Sequence, residues 1–336
     1  MKGNRIHIPQ IRQATLEPFE IPDTPEPHSI IVQASCSLIS AGTELAIYTG
    51  THIGFTMEHP PFPLIPHHPG YALVGKIIAV GSQVTRFTVG QRVMAEAGHG
   101  TFAALDTRIG TLVALPDAIS DEQATLIRLA DVAITAPRLA PAELGQAAVV
   151  FGLGLVGQLT AQLYRLDGAR PVIGIDQIPA RLALARQHGI LAVNSTEAKT
   201  VVAEMTNGRG AEIVVEATGN PNVVPLALDL AAEGGRVVLL GSTRGKVELD
   251  VYSLVHRKGI ALIGAHERTQ VLDAIPHGRM TKTRNLEIIA RLFAEGDLKS
   301  DGLITHRVAP TDAPAMYEAL ATQPSEYLGV LIDWQR

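Results

Sequence analysis

A glycine-rich hexamer with defined flanks constrains the fold of this chain more than any other segment. Residues 152–157 read Gly-Leu-Gly-Leu-Val-Gly, follow the apolar run Ala-Ala-Val-Val-Phe and open a helical segment at Val156. Asp176 lies 19 residues beyond Gly157, at the end of the next apolar run. A strand, a G-x-G-x-x-G turn, a helix and an acidic residue at this distance are the fingerprint of a dinucleotide-binding βαβ unit. A tight strand–helix turn without a ligand is the alternative interpretation.

Each residue of the motif has a physical role in holding a dinucleotide. Gly152 permits the tight turn, Gly154 lets a pyrophosphate approach the backbone at a helix N-terminus, and Gly157 allows close helix–strand packing. Asp176 is expected to accept hydrogen bonds from the adenosine ribose hydroxyls, and its charge would repel a 2′-phosphate. The sequence therefore predicts NAD rather than NADP as the cofactor, with Asp176 as a simple helix N-cap the alternative.

From about residue 120 onward, short apolar strands alternate with helices. Several strands are continuous apolar runs, as expected when helices cover both faces of a parallel sheet. Ser120 is a candidate helix N-cap and Gly296 a candidate C-cap. The predicted helices cover 121–129, 130–139, 156–167, 180–188, 225–232, 285–295 and 312–322. The predicted strands cover 147–151, 172–175, 192–194, 213–216, 237–240, 260–264 and 327–333.

The first 120 residues predict short strands and a proline-rich loop. Strands are predicted at 30–35, 71–80, 91–94 and 111–115. Five prolines between residues 60 and 69 exclude a helix there, because proline lacks the amide donor and clashes with the preceding turn. We expect an ordered loop or a lid in that segment.

A single cysteine, Cys36, limits the disulfide and metal chemistry open to one chain. No intrachain disulfide can form, and no zinc site with two or more cysteine ligands. The formal net charge of −5 offers no basic surplus, so we expect no nucleic-acid partner. The N-terminus has no apolar run of signal-peptide length, and the apolar window 145–164 contains three glutamines. We therefore expect a soluble, cytoplasmic protein without a membrane partner.

The order of the motifs resembles that of the medium-chain dehydrogenase/reductase superfamily over essentially the whole chain. The landmarks are V-x-x-V-G-like 77–81, V-G-x-x-V at 89–93, the hexamer, EATG at 216–219 and GGRVVLLG at 234–241. The resemblance implies an α/β fold, with a Rossmann doubly wound parallel sheet and a mostly-β, GroES-like catalytic domain. It assigns 1–129 and 265–336 to the catalytic domain and 130–264 to the NAD-binding domain.

Ligands of such parallel sheets bind beyond the carboxyl ends of the strands, which extends the expected cofactor site. For the turns after residues 216 and 240, the alternative to a cofactor-binding role is that their glycines are ordinary turn residues. For His266, the alternative is a position at a helix start or on the surface. The expected cofactor-binding residues are Gly152, Gly154, Leu155, Val156, Gly157, Asp176, Arg181, Thr218, Gly219, Gly241, Ser242, Ala265 and His266.

The zinc-ligand positions implied by the resemblance are altered in this chain. Ser40 stands where the family has its first cysteine ligand, Tyr71 stands where it has a histidine, and 128–131 contains no cysteine. Neutral hydroxyls are poor zinc ligands beside thiolate and imidazole, so we expect no metal at the usual site. The pattern resembles a zinc-lacking branch that includes bacteriochlorophyllide hydroxyethyl dehydrogenases and sugar or cyclitol dehydrogenases. A rearranged metal site is the alternative, drawn from His52, His59, His67, His68 and His99 with Cys36 and Glu44.

Without a metal, side chains must stabilise the substrate oxygen and transfer its proton. Thr43 matches the family's proton-relay hydroxyl, and Tyr71 is expected to donate to a developing alkoxide. Glu44 is expected to orient Tyr71 or to act as a base, and Ser40 to bind substrate or to fill the space of the missing cysteine. A packed aromatic ring at Tyr71 and a structural carboxylate at Glu44 are the alternatives.

These features predict a zinc-independent, NAD-dependent, alcohol dehydrogenase-like oxidoreductase. It would transfer hydride between a secondary alcohol (a polyol, a sugar-like or a macrocycle hydroxyl) and NAD. Two alternatives stay open: an NAD(P)H-dependent reductase of a quinone or enone C=C bond, and a non-catalytic NAD-binding protein. We expect a small-molecule substrate and a homo-oligomer, either a dimer or a tetramer.

Overall fold

The structure, a computed structural model, describes residues 1–60, 64–270 and 281–336. Within these ranges the chain forms fifteen strands and eight helices. The strands are β1 (Lys2–Gln10), β2 (Gln13–Glu20), β3 (Ser29–Ile39), β4 (Leu73–Val80), β5 (Arg92–Ala95), β6 (Phe102–Asp106), β7 (Leu112–Ala114), β8 (Ala148–Phe151), β9 (Val172–Asp176), β10 (Leu191–Asn194), β11 (Ala211–Glu216), β12 (Ala231–Leu239), β13 (Ala261–Gly264), β14 (His306–Val308) and β15 (Val330–Asp333). The helices are α1 (Thr43–Tyr48), α2 (Asp121–Leu139), α3 (Leu155–Leu166), α4 (Pro179–Gln187), α5 (Ala198–Met205), α6 (Val224–Leu230), α7 (Lys282–Glu295) and α8 (Ala313–Thr322).

One compact unit, Ala130–Gln270 with Asp297–Lys299, is built on a six-stranded sheet in the order β10-β9-β8-β11-β12-β13. All neighbouring pairs are parallel. This is the 3-2-1-4-5-6 order of doubly wound folds, whose ligands bind where the strand order reverses, here between β8 and β11. Two separate apolar clusters pack against the sheet, as the continuous apolar strands predict. We call this the parallel-sheet unit.

The other unit comprises Met1–Leu129 with 281–296 and Ser300–Arg336, and is mostly β. Its larger sheet runs β14-β15-β3-β4-β5-β7, with β6 also paired to β3. The long strand β3 therefore has three partners, β15, β4 and β6. We call this the mostly-β unit. Together, the two architectures confirm the predicted fold class.

Local sequence signals for helix ends are confirmed. The side chain of Ser120 accepts the Gln123 amide hydrogen while the Gln123 side chain accepts that of Ser120, both at 3.1 Å. This reciprocal pair satisfies two amides that have no partner within the helix. Gly296 ends α7 in the left-handed conformation with φ of 74°, which glycine adopts without steric cost.

Several boundaries predicted from the sequence are wrong. The helices predicted at 121–129 and 130–139 are one helix, α2, because no glycine or proline interrupts the chain at their junction. The helix predicted at 225–232 ends at Leu230, where β12 begins. The β1–β2 hairpin, β6, α5 and β14 were not predicted, because their apolar residues are few or weakly periodic.

The proline-rich segment is only partly described, since 61–63 lie outside the described residues. The remainder is tied to β1 by an isolated bridge between Ile8 and His67. Among the described helices, none is both long and apolar enough to cross a membrane. The apolar window 145–164 is divided between β8 and α3.

Candidate active site

The turn between β8 and α3 has the geometry that its glycines were predicted to provide. Gly152 adopts φ of +85°, and a Cβ atom there would lie 2.7 Å from Thr218 Cγ2. A Cβ on Gly157 would lie 1.7 Å from the Gly152 carbonyl oxygen, so only glycine allows this helix–strand contact. Gly154 caps α3 without a side-chain hydrogen bond, and a Cβ on it would meet nothing within 4 Å. The open space at a helix N-terminus fits a pyrophosphate.

Asp176, at the end of β9, binds the backbone of the same turn. Its Oδ2 accepts the Leu153 amide hydrogen at 2.7 Å, and its Oδ1 accepts those of Gln177 and Ile178 at 2.8 and 2.9 Å. Arg181 Nη1 lies 3.8 Å from Oδ2. A carboxylate accepts about four hydrogen bonds, so the three amides leave capacity for a ribose hydroxyl. The carboxylate orders the turn and keeps one acceptor position for a further hydrogen bond.

The turns after β11 and β12 meet the turn between β8 and α3 at the carboxyl edge of the sheet. A Cβ on Gly219 would lie 2.7 Å from the Ser242 carbonyl oxygen, and one on Gly241 would lie 2.4 Å from the Gly219 nitrogen. These close backbone approaches explain both glycines. Thr218 donates its amide hydrogen and its hydroxyl to Glu216, which is fully buried. Burial raises the pKa of Glu216, while these hydrogen bonds oppose the increase.

Ala265 and His266 follow β13. The Ala265 amide donates to the Leu239 carbonyl at 2.9 Å, and the residue is buried. His266 Nδ1 accepts the Arg268 amide hydrogen at 3.1 Å and caps a short 3-10 helix. The contact of His266 therefore matches the alternative in which this residue starts a helix.

In the mostly-β unit, two of the three positions that the resemblance assigns to zinc ligands carry hydroxyls that pair with each other. Ser40 immediately follows β3 and Tyr71 precedes β4, and the antiparallel pairing of these strands brings the two side chains together. The Tyr71 hydroxyl donates a hydrogen bond to Ser40 Oγ. Thr43 lies nearby in sequence as the first residue of α1, half-buried.

Glu44 lies behind this pair and is 1% exposed. Its Oε1 accepts the Ser40 amide hydrogen at 2.9 Å. Its Oε2 accepts the Tyr317 hydroxyl at 2.7 Å and lies 2.9 Å from His99 Nε2. Burial, with the charge of Glu44 beside it, raises the pKa of Tyr317 well above its usual value, so that hydroxyl remains a donor. Glu44 thus holds the backbone that carries Ser40, and its observed contacts do not include Tyr71.

His99 extends the buried network to the C-terminal strand. Its Nδ1 lies 2.8 Å from Ser37 Oγ, and the Trp334 indole N–H donates to the same oxygen at 2.9 Å. The Ser37 hydroxyl therefore contacts both His99 and Trp334, and it links the residue after β15 to the buried His99–Glu44 pair.

Arg128 contributes a buried cation that the sequence analysis did not assign a role. It is 2% exposed, and its guanidinium carbon lies 5.0 Å from the centroid of the Tyr71 ring. Glu96 lies 3.3 Å from Arg128 and 2.8 Å from Lys282. Burial raises the pKa of Glu96, but the two cations outweigh it and lower the net value.

Comparison with known proteins identifies the family. Residues 26–112 match the family described as alcohol dehydrogenase GroES-like domain, and 156–276 match the family described as zinc-binding dehydrogenase. The chain belongs to the medium-chain dehydrogenase/reductase superfamily.

Among relatives in this superfamily, the D-xylulose reductase of Saccharomyces cerevisiae is 26% identical, with 95% of this chain and 94% of that protein covered. The (R,R)-butanediol dehydrogenase of Bacillus subtilis is 27% identical, with 93% of each covered. Two solved structures share the fold, each with a TM-score of 0.81, 19% identity and 99% coverage of both chains. They are a putative zinc-binding dehydrogenase from Sinorhizobium meliloti bound to NADP and an Escherichia coli alcohol dehydrogenase complexed with NADH.

The description of the family that matches residues 156–276 names zinc. The side chains at positions 40 and 71, where the resemblance places zinc ligands, do not suit that ion. Ser40 and Tyr71 offer neutral hydroxyls that are hydrogen-bonded to each other, and the guanidinium of Arg128 lies against the Tyr71 ring. Zinc sites in proteins use thiolate, imidazole and carboxylate, and a neighbouring fixed cation opposes a second one. The residues present therefore do not fit a catalytic zinc.

The rearranged site considered from the sequence is not assembled among the described residues. His52 Nδ1 accepts the Gly54 amide hydrogen, His99 binds Glu44 and Ser37, and His68 pairs with Glu17. Sequence reasoning considered His99 only as a candidate metal ligand, considered Arg128 only as part of the cysteine-free stretch 128–131, and did not name Tyr317. Each of the three reaches the site through tertiary packing over 50 or more residues, which no sequence pattern signals.

Proposed function

We propose that this protein is a zinc-independent, NAD-dependent oxidoreductase of a secondary alcohol. The observation that carries the proposal is the Tyr71–Ser40 hydroxyl pair, which occupies the altered zinc-ligand positions beside the buried guanidinium of Arg128. The family membership supports an oxidoreductase. The names of the relatives, a D-xylulose reductase and a butanediol dehydrogenase, support a hydroxyl on a polyol or diol-like carbon.

NAD is the proposed cofactor, and when bound it accepts the hydride. The turn between β8 and α3, here called the phosphate turn, would hold its pyrophosphate together with α3, and Asp176 would hold its adenosine ribose. A carboxylate at that position opposes the 2′-phosphate of NADP by charge repulsion. Arg181 lies near the same carboxylate, but its ion pair with Asp176 offsets its attraction for a phosphate.

The chain's own groups are proposed to move the proton. Tyr71 would donate its hydroxyl proton to the substrate oxygen when a ketone is reduced. When an alcohol is oxidised, Tyr71 would take up the alcohol proton while its own hydroxyl proton passes through Ser40 to solvent. Ser40 accepts from Tyr71 and would orient it. The Arg128 cation over the ring favours negative charge on the tyrosine oxygen while that proton is away. Thr43 is proposed as the relay hydroxyl, and Glu44 as a positioning residue that acts through the Ser40 backbone.

The decisive experiment is a substrate screen combined with metal removal. The purified protein is assayed with NAD and with NADP against secondary alcohols, polyols and sugars, and with NADH against quinones and enones. We expect alcohol oxidation with NAD, tighter binding of NAD(H) than NADP(H), and turnover unaffected by chelators. If turnover is lost on chelation and restored by zinc, the metal-free proposal is wrong. If the protein only reduces enones, the reductase alternative is favoured. Cofactor binding without turnover would favour a non-catalytic protein.

We also propose that the protein is a homo-oligomer, associating through β13. This strand is one of the two outer edges of the six-stranded sheet, and Ala261, Leu262 and Gly264 are exposed, Leu262 by 42%. An exposed edge strand presents unpaired backbone donors and acceptors to a second chain. The substrate is proposed to be a small molecule.

A further inference from the structure

Three side chains away from the candidate active site converge on one point in the mostly-β unit. They are His7 on β1, Glu17 on β2 and His68, and one ligand atom from each lies within 4.8 Å of the others. Glu17 Oε2 lies 2.9 Å from His7 Nδ1, and Glu17 Oε1 lies 3.0 Å from His68 Nε2. We propose that this His7–Glu17–His68 cluster binds a divalent transition-metal ion, with zinc the best suited.

Backbone hydrogen bonds fix the cluster's three supports without a metal. Strands β1 and β2 pair in register, with Arg5 opposite Glu17 and His7 opposite Thr15. His67, the neighbour of His68, exchanges two backbone hydrogen bonds with Ile8, at 2.8 and 2.9 Å. An ion would therefore need only side-chain adjustments, and little conformational entropy is lost on binding.

The donor set selects the class of metal. Two imidazoles and one carboxylate form the three-ligand set of open zinc sites, in which water takes the fourth position. The side chains of His7, Glu17 and His68 are 19%, 28% and 45% exposed, which leaves access for the ion and its water. Magnesium and calcium prefer all-oxygen sites, so two nitrogen donors disfavour them.

Arg5 affects metal binding at the cluster in two opposite ways. Its Nε donates to Glu17 Oε1 at 2.8 Å, while Oε2 is directed at His7. Hydrogen bonding by an outer group is a normal way to orient a ligating carboxylate. The guanidinium charge nevertheless repels a second cation, so we expect weaker binding than in a closed four-ligand site.

The experiment is a titration of the full-length, untagged, metal-free protein with zinc chloride in a calorimeter. We expect one zinc per chain in the wild type and at least ~10-fold weaker binding in His68→Gln and in His7→Gln, because even outer-sphere changes cost that much. The matched control is His59→Gln, an exposed histidine outside the cluster, which should bind like the wild type. Folding of each variant is checked by its thermal melt without metal.

Cobalt(II) provides a spectroscopic signature that an unspecific surface site would not give. The wild type and His59→Gln should show the intense visible bands of a tetrahedral nitrogen–oxygen site, and His68→Gln should not. The proposal is overturned if no saturable binding occurs, or if the His7→Gln/His68→Gln double variant binds zinc as the wild type does. The cluster is then an ion-pair network around Glu17. Because binding is the readout, the result is independent of the proposed dehydrogenase activity.

Discussion

At the scale of single residues, the candidate site pairs two hydroxyls at positions that the resemblance assigns to zinc ligands, with the Arg128 guanidinium beside them. The hydroxyl pair of Ser40 and Tyr71 was accessible from the sequence, because both residues occupy motif positions. The contact between the Arg128 guanidinium and the Tyr71 ring could not be predicted from the sequence, because 57 residues separate them and no pattern signals the contact. The guanidinium keeps its charge at any working pH, so the site has a permanent positive charge without a bound ion.

Tyr71→Phe tests the proton-transfer role. We expect turnover of the alcohol identified in the screen to fall roughly 100-fold or more, because a positioned acid–base group contributes about that much. NAD affinity should not change, since the phosphate turn lies in the other unit. The comparison variant is Tyr48→Phe, which removes a hydroxyl bound to Glu318 and the Arg12 carbonyl. Equal turnover in both variants would show that Tyr71 is only a packed ring.

The contacts of Glu44 could not be named from the sequence. Sequence reasoning offered a base or an orienting group for Tyr71, with a structural carboxylate as the alternative, and the structure places the carboxylate on the Ser40 amide, His99 and Tyr317. Comparison with a family motif shows that a residue differs from the family's usual type at that position. It does not show which partners tertiary packing brings to that side chain.

At the scale of elements, the strand–turn–helix β8–α3 is the part most completely specified by sequence. A glycine pattern, an apolar strand and an acidic residue at a fixed distance all constrain the same few backbone atoms. The hairpin β1–β2 is the opposite case. It has few apolar residues, and its stability comes from burying Ile6 and Ile8 against α8 and β15 in one cluster, which no local pattern reveals.

Two alanine substitutions in this turn should separate folding from cofactor binding. Gly154→Ala adds a methyl group into open space at φ of −64°, so the melting temperature should stay within about 1–2 °C while NAD affinity falls roughly 10-fold or more. Gly157→Ala places a carbon 1.7 Å from a carbonyl oxygen and should destabilise the fold by at least about 2 kcal/mol. Thermal melts and NAD titrations measure both. Unchanged NAD affinity in Gly154→Ala would contradict the assigned pyrophosphate site.

At the scale of the whole molecule, the two sheet edges of the parallel-sheet unit are not equivalent. In β10 the two central residues are buried, whereas three of the four β13 residues are exposed. Charged or covered edges resist association, and an exposed apolar edge favours it.

Leu262→Lys on β13 should therefore shift the protein toward monomer in light scattering. The matched control is Leu191→Lys, which changes a leucine of similar exposure, 38% against 42%, at the opposite edge. We expect the control to keep the oligomeric mass of the wild type. A monomeric wild type, or an equal effect of both substitutions, would exclude association through β13.

The network behind Ser40 has a consequence for how the chain is made. Ser37 and Ser40 lie near its start, Tyr317 and Trp334 near its end, and the Glu44 carboxylate has donors from both. A ribosome releases these segments far apart in time, whereas the strands of the parallel-sheet unit emerge as one continuous stretch. A growing chain can thus build the dinucleotide fold early, but its Glu44 carboxylate stays hydrated and lacks the Tyr317 hydroxyl until that residue has left the ribosomal tunnel. Premature termination would yield a chain with the glycine turn in place and the hydroxyl pair unsupported.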